Sequence, residues 1–485
     1  MSTRTRIEHD LLGEREVPAE AYYGIHTVRA LENFPVSGLR PHPELIRALA
    51  EVKRAAAQAN RKAGLLEPEK AQAIVAACDE IRAGALHEWF VVDPFQGGAG
   101  TSTNMNANEV IANRAIEMLG GKKGGYDLIH PNDHVNMSQS TNDVYPTAVR
   151  VAALRLLQPL VQGMSDLQGA LQAKEAEFAG VLKIGRTETQ DAVPVTLGQE
   201  FAAWAQAVQR DWWRLWKVEE RLRQVNLGGT AVGTGLNADR RYVHSVVEYL
   251  AEATGLGLAR AENMMDVTQN CDVFVEVSGL LKAAAVNLAK LAADLRLLSS
   301  GPRAGIGEIH LPELQAGSSI MPGKVNPVMT EMATQVAYQV MAADLAITLA
   351  AQAGQLELNA FLPQIAWNLF LQLDLLRSAI ELMRERCIQG ITADEARCAE
   401  LLERSFGQVT ALAPHIGYQA ASEVAREAYT TGRPVREIVL ARGLLTTEEL
   451  AVVLSPFEMT KPGIAGEKVM KARNQVPPAQ GQGSQ

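Results

Sequence analysis

The segment GSSIMPGKVNP, from Gly317 to Pro327, combines side chains that can hold an anion and move a proton. Within eleven residues it contains the hydroxyls of Ser318 and Ser319, the cation of Lys324 and the amide of Asn326. The Asn-Pro pair at its end predicts a helix start with Asn as the N-cap and Pro at the first helical position. A helix start offers free backbone N–H groups to a carboxylate. A plain interhelical loop is the alternative, but the coincidence of these groups favours a site.

Three further segments are dense in hydroxyls and amides. Each by itself is most simply a helix cap or a turn. Together they predict a polar pocket for a compact, multiply charged ligand. The residues are Thr101, Ser102, Thr103, Asn104 and Asn106 in GGAGTSTNMN, Ser140, Thr141 and Asn142 in QSTND, and Arg186, Thr187 and Glu188 in GRTETQD.

Long helices must carry these segments. Between residues 272 and 299, apolar residues recur at alternating spacings of three and four, which is typical of a helix packed lengthwise against others. The stripe consists of Phe274, Val277, Leu281, Ala284, Leu288, Leu291, Leu295 and Leu298. Residues 145–178, 196–225, 327–353 and 363–387 have similar patterns, so the sequence predicts a central bundle of five long helices. Strand signals are short and lie mostly before Pro43 and around residues 90–93.

Polar, glycine-rich stretches separate these helices and suggest a division into domains. We predict an N-terminal, mostly helical domain at 1–140, the long-helix bundle at 141–392 and a small helical domain at 393–473. The last residues, 474–485, have the composition of a disordered tail. Stretches 96–108, 130–143, 185–191, 227–237 and 301–326 are predicted to be loops.

Composition excludes several classes of function. The net charge of −9 argues against a nucleic-acid partner, and no apolar run is long enough to span a membrane. The scattered cysteines, without a CxxC pair, argue against a metal site and favour reduced thiols in a cytoplasmic protein. The N-terminal residues lack the apolar stretch of a signal peptide. Walker-type GxxxxGK[ST], strand-anchored GxGxxG, HExxH and GxSxG patterns are also missing.

Several segments resemble the aspartase/fumarase superfamily of lyases nearly from end to end. They are GSSIMPGKVNP, HPNDHVNMSQSTNDVYPT, GRTETQDAVPVTLGQE and GGTAVGTGLN. The segments IEHDLLGEREVPAEAYYGIHTVRALENF, GGAGTSTNMNANEV, LLSSGPRAG and AGQLELN resemble the aspartate ammonia-lyase branch more than the fumarase branch. Fumarases tend toward Trp-Gly and GSGTQ where this chain has Tyr23-Gly24 and GAGTS.

The resemblance implies a mainly α, three-domain fold that assembles into a homotetramer, with each active site shared between three subunits. It implies reversible elimination of ammonia from L-aspartate to give fumarate, through an aci-carboxylate intermediate. No cofactor is implied, although a divalent cation such as Mg²⁺ is an expected type of activator. The alternatives are a class II fumarate hydratase, a non-catalytic structural protein such as a lens crystallin, and a pure binding module.

Carried over residue by residue, the resemblance makes Ser318 the base on a mobile loop, with Lys324 supporting it. It assigns the β-carboxylate of the substrate to four hydroxyl residues and the α-carboxylate to three other residues, and it places Asn142 near the amino group. The first set is Thr101, Ser140, Thr141 and Ser319, and the second is Thr187, Lys324 and Asn326.

Glu188 departs from the family pattern, because many members have His after this Arg-Thr pair. We expect the carboxylate to face the substrate ammonium directly. The alternative is repulsion between Glu188 and Glu331, which would raise the pKa of one of them. His130 and His134 are predicted to be loop or cap residues. Arg186, Asp143 and Glu308 are assigned to structure.

Overall fold

The computed structural model describes residues 4–475 and consists mainly of α-helices, which confirms the predicted fold class. The chain begins with an antiparallel hairpin of β1 (Thr5–Asp10) and β2 (Gly13–Pro18), followed by four helices. These helices are α1 (Ile25–Asn33), α2 (Pro43–Lys62), α3 (Pro68–Arg82) and α4 (Thr101–Met118). The His42 side chain caps α2 by accepting the N–H of Glu44, and Pro43 occupies the first turn.

The middle of the chain contains the five long helices that the apolar periodicity predicts. In chain order the elements are α5 (Thr141–Glu177), β3 (Leu182–Thr187), β4 (Gln190–Thr196), α6 (Leu197–Leu222), β5 (Gln224–Val225), α7 (Arg240–Thr254), β6 (Ala259–Arg260), α8 (Met264–Gln269), α9 (Asp272–Leu298), β7 (Ile309–His310), α10 (Val328–Gln352) and α11 (Leu362–Arg386). Every residue of the predicted α9 stripe is buried. The prediction of α5, α6, α9, α10 and α11 is therefore confirmed to within a few residues at each end.

Short helices complete the described chain and enclose a hydrophobic cluster that includes Leu412, Val424, Ile438 and Val453. The elements are β8 (Thr392–Ala393), α12 (Glu395–Arg404), α13 (Val409–Ile416), α14 (Tyr418–Thr431), α15 (Val435–Ala441), α16 (Thr447–Val453), α17 (Pro456–Met459) and α18 (Glu467–Gln475). Most of the predicted tail, from residue 476, lies outside the described residues, and residues 474–475 belong to α18.

Three predictions of local structure were wrong. Residues 185–191 are not a loop, because β3 and β4 pair antiparallel around a two-residue turn at Glu188 and Thr189. Residues 101–108 are the start of α4, so Thr101 lies in a first helical turn. No strand forms at residues 90–93, where the described backbone is irregular.

Contacts divide the described chain into two compact units. The first unit comprises 4–164, Arg210–Leu288 and Gln335–Ala379, and the second comprises Ser165–Gln209, Ala289–Thr334 and 380–475. The predicted division into three domains is not tested by this grouping and stays a prediction. None of the helices formed by residues 4–475 combines the length and apolar character that crossing a membrane requires.

Candidate active site

Ser318, in the second unit, lies where two backbone N–H groups converge on its hydroxyl oxygen. Its Oγ accepts the N–H of Ile320 at 3.2 Å and that of Met321 at 3.0 Å. The side chain is half-buried, whereas its neighbour Ser319 is exposed. Donors in this position stabilise negative charge on the oxygen, so they favour loss of its proton. No motif of the sequence indicates these two N–H groups, because the backbone of any residue could supply them.

Two hydrogen bonds join the two ends of this loop and close its base. The Gly317 N–H donates to the carbonyl of Lys324 at 2.7 Å, and the Asn326 side-chain amide donates to the carbonyl of Gly317 at 2.8 Å. A Cβ at Gly317 would lie 2.6 Å from the Lys324 oxygen, so this closure requires glycine. Gly323 has a left-handed backbone with φ of +81°. The Lys324 side chain remains exposed.

The predicted N-cap role of Asn326 is wrong. The helix α10 begins at Val328, one residue later than expected, and the Glu331 N–H donates to the Pro327 carbonyl at 3.3 Å. The Asn326 NH₂ group donates to the Gly317 carbonyl. This side chain therefore closes the loop instead of capping the helix.

Thr187 and Glu188 lie at the exposed tip of the β3–β4 hairpin in the second unit. Glu188 and Thr189 both have positive φ, +54° and +61°, as a two-residue type I′ turn requires. Neither is glycine, asparagine or aspartate, the residues that usually mark such turns, so the sequence did not reveal the hairpin. Glu331, the second carboxylate considered for this position, lies 3.8 Å from the Arg296 guanidinium.

A buried set of charges lies at the base of the hairpin. Arg186 donates two hydrogen bonds of 2.9 Å to Glu308, and Lys183 lies 3.1 Å from the same carboxylate. Lys183 also donates to Glu200 at 2.8 Å. Burial raises the pKa of Glu200, and the Lys183 ammonium opposes this effect. Arg186 and Glu308 were each assigned to structure from the sequence, and here they pair with each other.

Ser140, Thr141 and Asn142 lie together in the first unit, at the start of α5. The buried carboxylate of Asp143 accepts the N–H groups of Ser140, Gly228 and Thr230 at 2.9 to 3.1 Å. Burial raises the pKa of Asp143 to about 6, while these N–H donors oppose the shift. The structural role predicted for Asp143 is confirmed.

Two further candidate ligands of the first unit hydrogen-bond to backbone carbonyls. Thr101 Oγ1 donates to the Gly98 carbonyl at 2.7 Å. The Asn142 NH₂ group donates to the Ala231 carbonyl at 2.7 Å. Asn142 can still offer its carbonyl oxygen, an acceptor that suits an ammonium group, and the second hydrogen of its NH₂ group.

A fully buried lysine on α2, Lys53, lies beneath this cluster, and no motif of the sequence indicates it. Lys53 Nζ donates to Asn136 Oδ1 at 2.7 Å and to Gln139 Oε1 at 3.0 Å. Burial lowers the pKa of Lys53 to about 7, and the charge of Asp143 opposes this shift. The sequence carried one signal: Lys53 follows Leu49 by four residues, on the apolar side of an amphipathic helix.

The histidines act in the local structure, as predicted. His130 accepts the N–H groups of Asn132 and Asp133, both at 3.2 Å, and His134 Nδ1 accepts the His130 N–H at 2.7 Å. Within residues 4–475, no group of three or more His, Cys, Asp or Glu side chains is arranged to hold a metal ion.

Comparison with known proteins gives consistent results over most of the chain. Residues 13–342 match a family model described as Lyase, and residues 409–461 match one described as Fumarase C C-terminus. An aspartate ammonia-lyase from Bacillus sp is 53% identical over 96% of this chain and 100% of its own length. The aspartate ammonia-lyase of Escherichia coli K12 is 47% identical, covering 96% of this chain and 98% of its own.

Solved structures agree with these matches. A fumarate lyase:delta crystallin from Brucella melitensis, bound to cobalt, has a TM-score of 0.92 and 52% identity, covering 95% of this chain and 100% of its own. A recombinant class II fumarase from Schistosoma mansoni has a TM-score of 0.90 but only 34% identity, with the same coverage. The chain belongs to the aspartate ammonia-lyase family, within the aspartase/fumarase superfamily of lyases.

Proposed function

We propose that this protein eliminates ammonia from L-aspartate, reversibly, to give fumarate. The observation that carries the proposal is the pair of N–H groups that donate to the Ser318 hydroxyl oxygen. A free serine hydroxyl is a very weak acid, so it can act as a base only where its alkoxide is stabilised. The aspartate ammonia-lyases that share about half of this sequence support the choice of ammonia as the leaving group.

The reaction proceeds in two steps. The Ser318 alkoxide takes a proton from the β-carbon, and the electron pair moves into the adjacent carboxylate to give an aci-carboxylate dianion. The pair then returns to form the C=C bond as the Cα–N bond breaks, and ammonia leaves with the bonding electrons. Donors placed around the β-carboxylate accelerate the reaction because its charge grows in the transition state.

The substrate-binding assignments are part of the proposal. We propose that hydroxyl groups at helix starts or in the loop bind the β-carboxylate of the substrate. A cation, an amide and a hydroxyl bind its α-carboxylate. The first set is Thr101, Ser140, Thr141 and Ser319, and the second is Lys324, Asn326 and Thr187. Asn142 and Glu188 face the ammonium group, since each can present an acceptor oxygen there.

We propose that the protein is a homotetramer and that each active site takes its loops from three subunits. Large apolar side chains on the exposed face of α10 support this assembly: Tyr338, Leu345 and Leu349 are all more than half exposed. Such a stripe is typical of an interface between helices of different subunits.

We further propose that the enzyme works in the cytoplasm and requires no cofactor, a divalent cation such as Mg²⁺ acting only as an activator. All four cysteines are free and buried, as expected for a protein of a reducing compartment. Activity that persists after dialysis against EDTA and rises on addition of Mg²⁺ is the expected result. Complete loss of activity in EDTA, restored by metal, would show a required ion.

Ser318→Ala tests the proposed function. The variant should fold, assemble and retain succinate binding, while turnover falls by at least about a thousandfold because the base is lost. Absorbance of fumarate formed from L-aspartate and from L-malate separates an ammonia-lyase from a hydratase, and a wild type inactive on both would be a structural protein or binding module. Near-normal fumarate release by Ser318→Ala would show that another group is the base.

A further inference from the structure

We propose that Lys53 is a positioning residue that makes Thr141 a hydrogen-bond donor to the substrate carboxylate, acting through Asn136 and Asn104. The inference rests on the proposed function, because it takes Thr141 as a ligand of the β-carboxylate. It assigns to a buried residue of α2 a part in the reaction that no motif of the sequence indicates.

The first link is the orientation of the Asn136 amide. Its NH₂ group donates to the Gln139 carbonyl at 3.2 Å, and a carbonyl can only accept. The atom of Asn136 that faces Lys53 at 2.7 Å is therefore the carbonyl oxygen, to which Lys53 donates. Lys53 is fully buried, so no solvent competes for these bonds.

The second link is Asn104, which lies between Asn136 and Thr141 and relates the orientation of one to that of the other. Asn136 Oδ1 lies 3.2 Å from Asn104 Nδ2, and the same NH₂ group lies 3.0 Å from Thr141 Oγ1. Because Asn136 presents an oxygen, Asn104 must present its NH₂ group, whose second hydrogen goes to Thr141. The hydroxyl oxygen of Thr141 is therefore an acceptor here, and its own hydrogen is available to an anion.

Holding the Asn104 amide in this direction leaves one of its buried polar atoms without a hydrogen bond. Asn104 is 1% exposed, and its carbonyl oxygen has no hydrogen-bond partner among the residues that the structure describes. Turning the amide over would place that oxygen against Asn136 Oδ1 and would force Thr141 to donate inward. A buried, unsatisfied acceptor is unusual in native proteins and calls for a reason. The direction of the Thr141 hydroxyl supplies one.

Lys53→Met in the full-length enzyme tests the inference. Without the buried donor, Asn136 Oδ1 loses its shortest hydrogen bond and keeps only the longer ones from Asn104 and Asn108, at 3.2 and 3.1 Å. Asn104 and Thr141 are then held less firmly in this direction. We expect kcat/KM for L-aspartate to fall about 10- to 100-fold, the value of one hydrogen bond to a charged group, and succinate binding measured by calorimetry to weaken with it. Lys174→Met is the matched control: Lys174 is also buried, but it donates to the Ile391 carbonyl. Its kcat/KM should stay within threefold.

A double-mutant cycle separates positioning from a general loss of structure. If Lys53 acts through Thr141, Lys53→Met should have no further effect on kcat/KM in a Thr141→Val background. Asn136→Leu should reproduce the loss, and it replaces Lys53→Met if that variant does not fold.

Two results would overturn the inference: additive losses in the cycle, or an unchanged Lys53→Met enzyme. A wild type that binds succinate but forms no fumarate from L-aspartate would overturn the proposed function alone. In that case the succinate affinities of the same variants still decide the role of Lys53.

Discussion

In the proposed site, Glu188 is the residue that can distinguish between leaving groups. It lies at an exposed hairpin tip with a left-handed backbone. A carboxylate attracts the ammonium of aspartate, whereas malate offers only a neutral hydroxyl at that position. The proposed base and carboxylate ligands can serve both reactions, so a contact of this kind is what would separate them.

Glu188→Gln should raise the KM for L-aspartate about fivefold and leave the binding of fumarate unchanged. The reason is that the substitution removes a charge–charge contact worth about 1 kcal/mol in a solvated site, and fumarate has no ammonium to lose it. Steady-state kinetics in both directions measure the two effects. Glu188→Asp is the control that keeps the charge. Equal losses for aspartate and fumarate would count against the assignment.

The four cysteines should be unreactive in the native protein. Burial raises the pKa of Cys271, Cys387 and Cys398 to about 12 and also raises that of Cys78. At pH 8 only about one thiol in ten thousand would then be ionised, and the thiolate is the reactive form. Titration with an aromatic disulfide should detect no thiol before denaturation and four after it. Rapid reaction of any thiol in the native enzyme would contradict the burial described above.

At the scale of elements, the β3–β4 hairpin is held by charges that hydrophobic periodicity cannot reveal. The completely buried carboxylate of Glu308 forms ion pairs with both Arg186 and Lys183. Arg186 is the neighbour of Thr187 in the chain, so this pairing also fixes the path of the strand that ends at the hairpin tip.

Glu308→Gln should lower the free energy of unfolding by about 3 kcal/mol, because it leaves two cations with too few carboxylates in a buried place. Chemical denaturation measures the change. Glu400→Gln is the matched control, since Glu400 also pairs with two arginines, Arg397 and Arg404, but at the surface. Its denaturation midpoint should not move. An equally stable Glu308→Gln protein would show that the carboxylate is dispensable.

The long helices could be predicted from sequence because their apolar residues repeat locally, as the α9 stripe does. The hairpin could not, since its turn residues lack the usual glycine or asparagine and its strands do not alternate clearly. The buried polar network could not be predicted from the sequence either. Lys53 and Asn136 are 83 residues apart, and Arg186 and Glu308 are 122 apart, so no local pattern joins them. Resemblance supplied the residues that are proposed to contact substrate, but not those that support them.

At the scale of the whole molecule, the exposed face of α10 is the feature that a single chain leaves unexplained. Its exposed residues recur along one side of the helix, at Gln335, Tyr338, Ala342, Leu345 and Leu349. This spacing matches one helical stripe, so it marks a continuous surface that another helix can cover.

Replacing Tyr338 and Leu345 together by glutamate should break the assembly. Charges on this stripe would have to be buried without partners, which costs far more than exposing them. Light scattering should then show a mass below that of four chains, and activity should fall with it. Tyr418→Glu, on an exposed surface of α14, should change neither quantity. A fully active tetramer carrying both α10 charges would place the interface elsewhere.

The closed base of the Gly317–Asn326 loop makes it a self-contained unit. Its closing hydrogen bonds, and both N–H donors to Ser318, come from residues of the loop itself. The geometry around Ser318 therefore does not depend on side chains outside the loop. In the proposed mechanism, a change of leaving group would require substitutions only in the other segments of the site.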